Sequence, residues 1–122
     1  MTLARNIYHV TKASNSPFQI ALREDGLLVS SVGVTRCDLI FKKPGAASVN
    51  VSSSEDSTWF DLQHETVIDG IDTQVIRVDL NDTALDPGRY EVDVYVFDAV
   101  NTDGIFTGTI DVEINAANPA AS

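Results

Sequence analysis

Between residues 90 and 114 the chain alternates apolar and polar positions twice over. Tyr90, Val92, Val94 and Val96 fall on one parity and Glu91 and Asp93 on the other. Further on, Ile110, Val112 and Ile114 oppose Thr109, Asp111 and Glu113. A period of two sends successive side chains to opposite faces, so both runs predict strands with one buried face. The pattern recurs upstream. Phe18, Ile20 and Leu22 alternate with Gln19 and Arg23 before the turn at Asp25 and Gly26, and Cys37, Leu39 and Phe41 alternate with Arg36, Asp38 and Lys42 before Pro44 and Gly45. Ile76, Val78 and Leu80 share a face, Val49 and Val51 mark a short strand, and the polar, β-prone segment 5–13 reads as an edge strand. Trp59, Phe60 and Leu62 lie in a run too short to fix which face each takes.

The count is about seven or eight short strands separated by turn residues. Only one stretch predicts helix, a single turn that Asn81 would cap and Pro87 and Gly88 would close. This pattern fits an all-β, immunoglobulin-like antiparallel β-sandwich, with a small closed barrel as the alternative. Its predicted core is Phe18, Ile20, Leu22, Leu39, Phe41, Ile76, Val78, Val92, Val94 and Val112. At 122 residues the chain suits one domain. The division expected is an N-terminal strand or arm over 1–16, the sandwich over 17–115 and a small-residue tail over 116–122.

Charge narrows the partners. A net charge of -10, with eight scattered basic residues, lacks the clustered cations that track phosphates, so no nucleic acid and no acidic lipid surface is expected. No membrane span and no signal peptide are read in the sequence, which suggests synthesis in a reducing cytoplasm. Cys37 is the single cysteine and sits on an apolar face, the place of a buried inert thiol. His9 and His64 stand at no spacing that marks catalysis, and no nucleophile motif such as G-x-S-x-G is present, so no enzyme and no cofactor are expected.

The connection between the last two strands, DAVNTDG, invites a metal reading. Asn101, Asp103 and Gly104 match the middle of a calcium loop, but its first position falls on Ala99 and its bidentate glutamate on Ile110. A hairpin loop is therefore expected, without metal. A glycan- or calcium-binding adhesin-like module remains the alternative function, with this loop and Tyr95, Phe97 and Phe106 as its contact. A second acidic cluster, Glu55, Asp56, Asp61 and Glu65, surrounds Trp59 and reads first as a solvated edge beside a core tryptophan.

Three pieces carry a resemblance: a strand ending in Glu24-Asp25-Gly26, then Gly33-Val34-Thr35-Arg36 opening the next strand, then Pro87-Gly88-Arg89-Tyr90 leading an alternating strand. Over residues 17–114 the chain resembles small tailed-phage virion proteins with an immunoglobulin-like β-sandwich, and more loosely the N-terminal domain of phage baseplate upper proteins. The long C-terminal extension of the baseplate family is missing. The resemblance implies a non-enzymatic accessory subunit, present in multiple copies in the virion and made in the host cytoplasm. It would dock on other virion proteins of the tail, neck, baseplate or capsid and stabilise or decorate the particle. An edge strand can pair with a neighbouring chain through its backbone, so Ile7, Tyr8, His9 and Val10 are the candidate partner-binding residues.

Overall fold

The structure is a computed structural model that describes residues 7–11, 17–80 and 85–115. Its strands are β1 (Ile7–Thr11), β2 (Phe18–Ile20), β3 (Leu22–Glu24), β4 (Leu27–Val29), β5 (Val34–Lys42), β6 (Val49–Ser52), β7 (Phe60–Ile68), β8 (Ile71–Val78), β9 (Gly88–Asp98) and β10 (Ile105–Asn115). They form a five-stranded sheet in the order β1-β10-β9-β5-β6, a three-stranded sheet in the order β2-β8-β7, and a small β3-β4 hairpin. The chain passes from one sheet to the other between β6 and β7 and returns between β8 and β9. Every pairing is antiparallel except one: β1 runs parallel to β10, with His9 opposite Glu113 and Val10 opposite Ile114.

The alternating positions explain the packing. All ten predicted core residues are buried, and they join Val10, Cys37, Leu80, Tyr90, Val96, Ile110 and Ile114 in one apolar cluster. Each fully buried aliphatic side chain stabilises the fold by about 1.5–3 kcal/mol relative to exposure. Tyr90 does more than fill space. Its hydroxyl donates to the carbonyl of Asp86 at 2.7 Å, and its ring meets Phe41 edge-on with centroids 5.8 Å apart. A tyrosine at the start of this strand, bonded back to the chain just upstream, is the tyrosine corner of immunoglobulin sandwiches. Two residues on, where antibody domains carry a disulfide cysteine, stands the fully buried Val92. The fold is an immunoglobulin-like β-sandwich whose sheets are held together by packing.

One expectation changes in detail. There are ten strands among the described residues rather than seven or eight, because the region after Phe18 is split at Ala21 and folds back as β3 and β4. The described helical turn is a 3-10 turn at Ser57–Trp59, where Trp59 N–H donates to Asp56 O. The turn predicted from Asn81 begins in 81–84, outside the described residues, as does the tail expected over 116–122.

Two hairpins are closed by Asp-Gly pairs in which both residues take positive φ: Asp25 at 51° with Gly26 at 79°, and Asp69 at 52° with Gly70 at 76°. This is the two-residue turn whose twist matches that of the strands it joins.

Candidate functional site

β1 lies at one end of the five-stranded order, so one of its sides carries no strand among the described residues. The candidate residues on it divide. Val10 is fully buried and belongs to the core; Tyr8 is half-buried, with its ring 5.0 Å from that of Phe18. His9 points outward and lies 3.8 Å from Glu113. A partner adding to this edge would meet backbone and His9, while Val10 is out of its reach.

The connection 98–104 is a structured hairpin loop. The carboxylate of Asp98 accepts from the N–H groups of Val100 at 2.9 Å and Asn101 at 2.6 Å, and from the Asn101 amide. These bonds, led by the Asn101 backbone N–H, outweigh desolvation and hold its pKa below the usual carboxylate range. Both oxygens that a cation would need thus already accept from N–H groups of the loop itself. No group of three or more metal-ligating side chains occurs among the described residues.

Beside this loop, the outer face of the five-stranded sheet brings together the three aromatics singled out in the sequence. Tyr95 and Phe106 are cross-strand neighbours with centroids 5.4 Å apart, and Phe106 is 51% exposed. Phe97 is clasped: the Arg36 guanidinium lies 4.5 Å from its centroid, and Gly104 packs so closely that a Cβ there would come within 2.8 Å of the ring. Several polar groups beside the aromatics are occupied. Thr35 donates to Phe97 O, and Arg36 makes two hydrogen bonds to Asp38, at 2.9 and 2.7 Å, that raise its pKa. Ser52 donates to the same Asp38. Farther down the face, Asp93 accepts from Lys42 at 2.8 Å and from Thr109 at 2.9 Å. Burial pushes the Asp93 pKa up, but those two partners more than offset it and hold the group below its ordinary value.

Elsewhere the chemistry is structural. The Cys37 thiol is buried, and its pKa is pushed up to about 12, first by burial and then by the nearby Asp38. His64 Nδ1 lies 3.3 Å from Asp61, and neither histidine is hydrogen-bonded to a hydroxyl or thiol among the described residues. Trp59 packs partly against the core and walls an open cleft of about 380 Å3 with Val49, Val51 and Leu85. No helix among the described residues is long and apolar enough to cross a membrane.

No protein-family model matches the chain, and no curated protein matches it. Among solved structures, murine CRIg is similar with a TM-score of 0.43 and 10% sequence identity, the alignment covering 96% of this chain and 98% of that one.

Proposed function

We propose that the chain is a non-enzymatic interaction subunit of a bacteriophage particle, docking on other virion proteins in multiple copies. The observation that carries the docking role is the outer face of the five-stranded sheet. Tyr95, Phe97 and Phe106 sit there with Arg36, in a setting where Thr35, Arg36 and Asp38 already have partners within the chain. Aromatic residues and arginine are enriched where protein interfaces bind most strongly, and a face without unpaired charge is cheap to desolvate. A sugar reader needs several free donors and acceptors beside its aromatic platform, and here Thr35, Arg36 and Asp38 are engaged within the chain, which favours protein over glycan. The assignment to a phage particle rests on the sequence resemblance over residues 17–114.

Mass spectrometry of purified particles tests the reading: the chain is expected there in many copies. Phe106→Ser, an exposed substitution, should leave the isolated protein folded and lower its incorporation. Removing β1 is a poor test, because it would take Val10 out of the core. Particles that contain none of the chain overturn the virion reading. Unchanged incorporation of the Phe106→Ser variant overturns the role of this face.

A further inference from the structure

Of the seven large apolar side chains that are most exposed among the described residues, five lie in or beside the turns and loops at the end of the sandwich where the β3-β4, β7-β8 and β9-β10 hairpins turn: Leu27, Val32, Val67, Ile71 and Val100. The topology brings them there from separate parts of the sequence. Leu27 follows the turn of the β3-β4 hairpin, while Val67 and Ile71 flank the turn of the β7-β8 hairpin. The two turns are drawn together by Arg23, whose guanidinium is 3.7 Å from Asp69. The backbone N–H of Ser31 donates to Gln74 O at 3.0 Å and its hydroxyl donates to Leu62 O, which sets the loop carrying Val32 against the base of the same hairpin. Val34, just beyond, pairs with Asp98, where the loop carrying Val100 begins. Leu27 is 73% and Val100 88% exposed.

The net charge at this end is negative. Glu24, Asp25, Glu65, Asp69, Asp72 and Asp103 lie among these apolar residues in sequence. Arg23 and Arg36, cations at this end, are each paired with a carboxylate of this chain, Asp69 and Asp38. A second copy would bring an equal set of carboxylates against this one, and an acidic lipid surface would be repelled in the same way. We infer that this end is a second docking surface, and that its occupant is a segment of a different protein presenting apolar side chains flanked by Lys or Arg. The inference builds on the interaction-subunit reading and names the chemistry of a partner, while using residues apart from the Tyr95 and Phe106 face.

Selection of a random peptide display library on the purified full chain tests it without any particle, so its failure is separable from failure of the virion reading. Enriched peptides are expected to combine apolar residues with net positive charge. A synthetic copy of one should bind at least tenfold more weakly to the double variant Leu27→Ser, Ile71→Ser, which keeps every charge. It should bind Val49→Ser, at the opposite end, as it binds the parent. Affinity should fall as salt rises, since exposed charges are screened beyond about 10 Å at 0.1 M. Enrichment of neutral or acidic peptides, or equal binding to parent and double variant, overturns the inference. So does a concentration-dependent dimer in sedimentation that the double variant abolishes, which would make the occupant a second copy. Flotation of the parent with neutral phosphatidylcholine vesicles would make it a lipid surface instead.

Discussion

Replacing Tyr90 with Phe removes one oxygen from the tyrosine corner and nothing else. The residue is 5% exposed, and its ring keeps its edge-on contact with Phe41 and the Lys43 ammonium 5.2 Å from its centroid. What is lost is the 2.7 Å bond to the carbonyl of Asp86. A buried carbonyl stripped of its donor costs about 1–3 kcal/mol, but Asp86 is an exposed residue whose carbonyl can turn to water, which places the cost near 1 kcal/mol. For a domain of this length, about 1 kcal/mol corresponds to a fall in melting temperature of roughly 4 °C. Tyr90→Ala, which also empties the ring's site, should cost about 3–5 kcal/mol. Tyr95→Phe supplies the control, since Tyr95 is a half-buried residue whose hydroxyl makes no hydrogen bond among the described residues, and the change should stay within about 0.5 kcal/mol. Urea denaturation of the four proteins, with thermal melts alongside, measures the series. A Tyr90→Phe protein as stable as the Tyr95→Phe control would refute the corner as a stabilising device and leave Tyr90 as a space-filling ring.

The remaining expectations concern the strand, the loop and the metal. Val10→Ala should destabilise by roughly 2 kcal/mol in denaturant melts, from two lost methyl groups and the gap they leave, whereas the exposed His9→Ala should stay within about 0.5 kcal/mol. Gly104→Ala should lower the melting temperature, because φ is +90° and the new Cβ would press on the Phe97 ring; a neutral result would mean the loop can move away from Phe97. Asp98 has a lowered folded pKa, so its contribution is complete above the unfolded value of about 4 and is lost as pH falls through the folded value. The gap in melting temperature between the parent and Asp98→Ala should therefore narrow as the pH is taken from 5 toward 2, and a constant gap would contradict the hydrogen-bond account. Calcium should not raise the melting temperature above that in chelator, because the Asp98 carboxylate is already bonded within its own loop.

The inward face of the sandwich was legible in the sequence because strand alternation leaves a period-two signal, and Phe18, Leu39, Ile76, Val94 and Val112 each sat on it. The partner of β1 was not legible. A parallel pairing between residues 7–11 and 111–115 leaves no turn chemistry between the strands, so nothing local announces it. Val10 consequently read as a free docking residue when it is core. Trp59, in its short run, became readable only from the cleft it walls. At the candidate face, Tyr95 and Phe97 held the same outward parity as Glu91 and Asp93, and an aromatic residue among outward carboxylates was the available signal. What sequence could not supply was the clasp on Phe97, which needs Arg36 from β5 and Gly104 from the far side of the loop.

The parallel ladder between the first and last strands sets a timetable for the chain. β1 leaves the ribosome about a hundred residues before β10 exists. At translation rates of about 5–20 residues per second it waits on the order of 5–20 s for its place in the sheet. Through that interval Val10 has no finished core to enter, and the hydrogen-bonding groups of residues 7–11 lack their final neighbours. Closing so long a loop carries an entropy cost that local hairpins avoid, so β3-β4 and β7-β8 are poised to form early and β1 to arrive last. Until it does, one flank of β10 stays open, and during assembly a strand from another newly made chain could occupy it first.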